Sequence, residues 1–151
     1  MRHGNNMENE LQRFVDAQNR ISNGRTIAEI ALEEIKSHRK RTHWMWFIFP
    51  QISGLGTSTA SVKYSIADKE EAGNYLNHPV LSTRLVEITQ AANDGAERFS
   101  AIEIFGEMDA KKFQSSMTLF SITSPEKSVF SDALQVFFEG KLDRRTIHLL
   151  D

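Results

Sequence analysis

The chain has 151 residues, 40% of them hydrophobic, and no cysteine; a length of this order closes one core over roughly 70% of the surface an unfolded chain exposes. The lack of cysteine excludes disulfides, thiolate metal sites and a cysteine nucleophile, and a formal net charge of −2 supplies no global field to recruit nucleic acid. In chain order, residues 1–7 read as a disordered leader lacking the apolar core of a signal peptide, with Met7 an alternative start, and one helical domain is expected over residues 8–151. Leu11, Phe14, Val15 and Ala17 predict an amphipathic helix that ends near Asn23-Gly24. Thr26, with Glu29 completing a capping box, opens a second helix whose Ile27, Ala28, Ala31, Leu32 and Ile35 share one side.

Lys36, His38, Arg39, Lys40 and Arg41 lie at or beyond the end of that helix. Cations there face the negative end of the helix macrodipole and stabilise it by about 0.3–1 kcal/mol each. The same run, next to Thr42-His43-Trp44, also suits a phosphorylated ligand or a stacked base. Trp44 to Phe49 fits a buried strand or a buried helix by periodicity, but no second strand pattern exists to pair with it. A short buried helix stopped at Pro50 is therefore expected, with Trp44, Phe47 and Ile48 on one side and His43 and Trp46 on another. The run is too short to cross a bilayer, so a cytoplasmic protein without membrane contact is expected. Met45, Phe47, Ile48 and Phe49 read as core, whereas the indole N–H groups of Trp44 and Trp46 need partners and make both residues candidates to line a pocket.

Gln51 through Ser58 is a small-residue loop in which Gly54 and Gly56 are expected at positive φ, with backbone N–H groups available to an anion. It is not a dinucleotide fingerprint, because Thr59 stands where the third glycine belongs and no strand precedes it, and no Walker lysine follows. Ser58 or Thr59 can cap a brief helix over residues 61–66. Asp68 with Glu71 starts the next helix, stopped at Asn77-His78-Pro79, and Pro79 opens another in which Leu81, Leu85, Ile88 and Ala92 recur before Asn93-Asp94-Gly95. Ala101 to Phe105 reads as a short turn closed by Gly106, and Asp109 as the N-cap of a helix with Phe113, Met117 and Phe120 on its core side. Ser124-Pro125 is expected to start a helix ended by Gly140, and Asp143 to cap a last one through Leu150. Together these predict an all-α fold, a compact single domain of about eight short-to-medium helices.

Four blocks of this sequence are distinctive: Arg13 to Gln18, Arg39 to Gln51 with Gly54-Leu55-Gly56, His78-Pro79-Val80-Leu81, and Phe105-Gly106 with Asp109, Lys112 and Ser115 to Phe120. In these blocks the chain resembles the bacterial family known as domain of unknown function 1810. Some members have carried the label calpastatin, which nothing in this sequence supports. The resemblance covers nearly all of the chain after the leader and implies a compact, mostly helical domain, but no reaction. Such sequences more often have glycine at His38, arginine at Thr57 and glycine at Ser82, and the missing arginine weakens the loop at Gly54 and Gly56 as an anion binder. The resemblance also singles out His43, Gln51, His78, Asp109, Lys112, Ser115 and Ser116 as polar residues that packing alone does not require.

Each of these has a structural reading beside the functional one. Ser115 and Ser116 let two helices approach closely, Asp109 caps and pairs with Lys112, and His78 sits in a turn. His43 beside tryptophans and cations suits general acid–base work, and equally a hydrogen-bonded structural role. Its spacing from His38 is wrong for a shared metal on one helical face, and neither an H-E-x-x-H pair nor a nucleophile elbow occurs, so no metal and no cofactor is expected. Three functions are consistent with these residues. The first is a binding module for an anionic, phosphorylated or nucleotide-like molecule at segment 39–51, with Arg39, Lys40 and Arg41 attracting it and Trp44 or Trp46 stacking on it. Its supporting residues would be Gln51, Gly54, Gly56, His78, Asp109, Ser115 and Ser116. The second is a metal-independent enzyme with His43 as acid or base and Lys112 as electrostatic stabiliser, and the third is a protein-interaction domain.

Overall fold

The computed structural model describes residues 4–151, with side chains from residue 10 onward. Of the expected leader, residues 1–3 lie outside the described residues, and helix α1 spans Gly4–Asn19. Leu11, Phe14 and Ala17 on α1 are buried as their spacing requires. The helix ends earlier than its pattern suggests. Asn23 (φ 53°) and Gly24 (φ 78°) are the turn of a small antiparallel hairpin between β1 (Ile21–Ser22) and β2 (Arg25–Thr26). Positive φ at both central residues is the condition that selects Asn-Gly for a two-residue hairpin, and this pairing overrides the reading of Asn23-Gly24 as a helix stop.

Thr26 then caps α2 (Ile27–Lys36) with the full capping box to Glu29. Trp44 precedes the one-turn α3 (Met45–Ile48), which stops before Pro50 as expected. Ser58 caps α4 (Thr59–Lys63), Asp68 caps α5 (Lys69–Asn77), and Pro79 opens α6 (Pro79–Asp94). Ala101–Phe105 is a true helical turn, α7, because Ser100 and Glu103 make a capping box around it. The long α8 (Glu107–Ile122) begins after Gly106, so Asp109 lies inside its first turn and is not the N-cap. α9 (Val129–Phe138) is capped by Ser128, four positions beyond the expected start, because the Ser128 and Ser131 side chains satisfy its first N–H groups and Ser124-Pro125 remains loop. α10 (Arg144–Leu150) is capped by Asp143, whose carboxylate accepts from the Thr146 N–H.

The described residues thus form ten helices and one two-stranded hairpin, and α8 is their hub. It packs against α7, α9, α10 and α5, while α6 joins α9 to α2. From Ser115 to Phe120 every residue of α8 is buried, the signature of a helix enclosed on all sides. Phe113 anchors it: its ring lies 4.5 Å from Phe105 (stacked), 5.0 Å from Phe49 (edge-on) and 5.8 Å from Phe137 (edge-on). Phe49, just after α3, and the buried Met45, Phe47 and Ile48 fix this turn in the core, which leaves the half-buried Trp46 beside Lys112 of α8. Among the described residues no helix is long and apolar enough to cross a membrane.

Candidate functional site

The loop between α2 and α3 is organised by a carboxylate. Glu34 lies on the core side of α2, only 9% exposed. Its Oε1 accepts from the Arg41 N–H (2.7 Å), the Thr42 N–H (3.0 Å) and the Trp44 indole N–H (3.0 Å), and its Oε2 accepts from the Thr42 hydroxyl (2.7 Å). Burial opposes ionisation of Glu34, but the four donors outweigh it and hold the carboxyl below its ordinary range. Lys40 completes the structure. Its side chain is 8% exposed, its Nζ donates to the Thr42 carbonyl at 2.6 Å and sits 4.9 Å over the Trp44 ring, and it pairs with Asp109 Oδ2 at 2.9 Å. The Lys40 N–H also donates to the Ile104 carbonyl, tying the loop to α7.

Two adjoining grooves open beside this loop. The first, about 500 Å³, lies between α3 and the start of α8 and is lined by Lys40, His43, Trp46, Glu107, Asp109 and Lys112, among others. The second, about 600 Å³, runs from the glycine loop to α10 and includes Gln51, Lys111, Lys112, Gln114, Asp143 and Arg145. Met108 and Lys112 line both. Lys112 is the joint between them: its Nζ is 4.9 Å from the centre of the half-buried Trp46 ring and a loose 3.4 Å from Asp109 Oδ1. Lys111 and Arg145 are exposed and have no carboxylate partner among the described residues.

The structure therefore brings together His43, Trp46, Lys40, Asp109 and Lys112 in one groove, and Gln51, Gly56, Lys112 and Ser115 in the next. Other expected site residues lie elsewhere. Trp44 is 1% exposed with its indole N–H spent on Glu34, so no ring face remains for a ligand. Arg39 and Arg41 are exposed but line neither groove. Gly54 takes positive φ (103°) and faces Leu149, whereas Gly56 does not; it is glycine because a Cβ there would meet Ser61 Oγ at 2.7 Å. His78 caps α6 through Nδ1, which accepts from the Val80 and Leu81 N–H groups at 3.2 Å. Ser116 is wholly buried in α8, and the Ser115 hydroxyl lies 3.1 Å from both the Lys111 carbonyl and Asp143 Oδ2.

The family model described as a protein of unknown function (DUF1810) matches residues 8–150. The chain belongs to this family. The DUF1810 fold is also seen in the crystal structure of the conserved hypothetical protein Rv1873 from Mycobacterium tuberculosis, which is 42% identical, with a TM-score of 0.87 over 93% of this chain and 96% of that one. No curated protein matches the sequence. For this DUF1810 domain, Glu34, Lys111, Asp143 and Arg145 are the site residues that sequence reasoning missed. Glu34 carried a signal, since a carboxylate on the apolar side of α2, between Ala31 and Ile35, must find donors. The other three carried none: helix packing, not local pattern, unites Lys111 on α8 with Asp143 and Arg145 at the start of α10.

Proposed function

We propose that this DUF1810 protein is a small-ligand binding domain that holds an anionic, phosphorylated molecule across the two grooves, with a planar or nucleotide-like part against Trp46. One observation carries this reading: Lys111, Lys112 and Arg145 converge on one groove against the single carboxylate of Asp143. The half-buried Trp46 beside Lys112 adds a surface on which a ring can stack. The anion-binding cations come from α8 and α10, while Arg39 and Arg41 contribute at longer range and Lys40 serves the loop. A thermal-shift screen of nucleotides and phosphorylated metabolites, repeated on Lys111→Ala and Arg145→Ala, tests it. At least one such compound should raise the melting temperature of the wild type, with the rise reduced in both variants. A flat response across the screen, or a rise indifferent to both substitutions, rejects it.

A second reading is favoured by His43, which is exposed in the same groove as Lys112 and Asp109. In it the protein turns the bound molecule over without a metal, with His43 as general acid or base and Lys112 stabilising developing negative charge. Turnover of a bound compound that disappears in His43→Ala while binding persists would select this reading.

A further inference from the structure

Resting on that binding reading, we infer that the ligand class is a phosphomonoester with free hydroxyl groups beside the phosphate, such as a sugar or polyol phosphate. Charge sets the first half of this assignment. In the groove between the glycine loop and α10, Lys111, Lys112 and Arg145 face one carboxylate, Asp143, leaving a net charge of +2. In the adjoining groove Lys40 pairs with Asp109 and the exposed Glu107 adds one negative charge, so the phosphate is favoured in the groove between the glycine loop and α10, where the net charge is +2. A phosphomonoester carries about −1.5 to −2 at neutral pH and matches this charge. A carboxylate ligand leaves cations uncompensated. A triphosphate carries roughly twice the charge the groove can neutralise and brings excess anion against Asp143.

The uncharged polar groups set the second half. Asp143 Oδ2 is occupied, accepting from the Thr146 hydroxyl at 2.5 Å and the Thr146 N–H at 3.1 Å with the Ser115 hydroxyl 3.1 Å away, but Oδ1 makes no hydrogen bond within the described residues. The Gln51 amide, half-buried in the same groove, has no side-chain partner there either, and Gln114 spends only its amide nitrogen, on the Lys141 carbonyl at 3.0 Å. A carboxylate oxygen and two amide oxygens are acceptors, and they ask for a ligand that donates. A carboxylate is also a poor neighbour for a phosphate unless a hydroxyl lies between them. Hydroxyl groups next to the phosphate meet both demands.

Isothermal titration of the full chain with ribose 5-phosphate, ethyl phosphate and ATP separates these features, because the two monoesters share a charge and differ in hydroxyls. Ribose 5-phosphate should bind about tenfold more tightly than ethyl phosphate, the gain expected from one or two hydrogen bonds, and more tightly than ATP. The gap between the monoesters should shrink to about twofold in Gln51→Ala, which removes an amide the fold does not use. In Asp143→Asn the amide oxygen is kept at the cap and its NH2 replaces the free acceptor, so the gap should shrink while ethyl phosphate binds more tightly. Equal binding of the two monoesters, or preference for ATP, overturns this inference and leaves an anion-binding groove. Failure of all three probes overturns both.

Discussion

Glu34 is the residue on which the site-bearing loop depends, and its replacement has a calculable cost. In Glu34→Ala four donors lose their acceptor. Water reaches Arg41 and Thr42, which are exposed, but not the indole N–H of Trp44, whose side chain is buried. Orphaning that donor and losing charge-assisted bonds to the loop should cost about 3 kcal/mol, or about 6–12 °C in melting temperature for a chain of this length. Glu34→Gln keeps an oxygen at the Oε1 position, where three of the donors converge, and lets the Thr42 hydroxyl rotate to accept, so only charge assistance is lost, about 1–2 kcal/mol. The pH dependence follows from the depressed carboxyl. The folded form releases this proton more readily than the unfolded one, so the stabilisation is present above the unfolded carboxyl value and is lost as pH falls through the folded one. Urea titrations followed by tryptophan emission at neutral and acidic pH should therefore show the wild type and Glu34→Gln converging in acid. Equal stability of Gln and Ala variants, or a wild-type-to-Gln difference that does not change with pH, would refute the role given to this carboxylate.

Three further outcomes are expected. Phe113→Ala, at a ring fully buried among Phe49, Phe105 and Phe137, should lose about 4 kcal/mol by chemical denaturation; a loss below about 1.5 kcal/mol would deny α8 its place as hub. Gly95→Ala brings a Cβ to 2.5 Å from Nδ1 of His38, whose ring stacks on Phe99, and should cost about 1–2 kcal/mol. In a His38→Gly background the same substitution should cost under about 0.5 kcal/mol, a coupling that a double-mutant cycle measures directly. Gly24→Ala meets no neighbouring atom, so its expected loss of about 1 kcal/mol comes from backbone conformation at φ 78° alone; unchanged thermal stability would argue against the hairpin turn.

The sequence was most legible where a cap and its helix are neighbours. Thr26 with Glu29, Asp68 with Glu71, Pro79 and Asp143 each act within one helical turn, and each marks a helix where expected. It was misleading where a residue has two local uses. Asn23-Gly24 stops helices and also turns hairpins, and the decision lies with the pairing of Ile21 and Ser22 with Thr26 and Arg25. Ser124 and Ser128 both suit an N-cap, and only the reciprocal partner Ser131 favours the second. His38 is a sharper case. It holds φ 60°, a conformation that favours glycine, and it is accommodated by stacking on Phe99 and by accepting from the Arg98 guanidinium at 3.2 Å. For the site, helical spacing was expected to put His43 and Trp46 on one face, but His43 precedes α3 and reaches the groove of Trp46 from the loop. Their conjunction with Lys112 and Asp109 depends on Phe49 docking against Phe113, a contact between distant segments that no local pattern encodes.

The two indole N–H groups offer the most direct test of the central claim, because one is sealed in the core and the other lies at the groove. Amide and indole resonances of the uniformly labelled protein would be followed during titration with the phosphorylated compound that most raises its melting temperature. Binding across the two grooves predicts movement of the Trp46 indole signal and of amides at 51–56 and 111–115, with the Trp44 indole signal, bound to Glu34, unmoved. Shifts confined to Arg39 and Arg41, or centred on another face of the domain while the Trp46 and Lys112 signals stay in place, would contradict it.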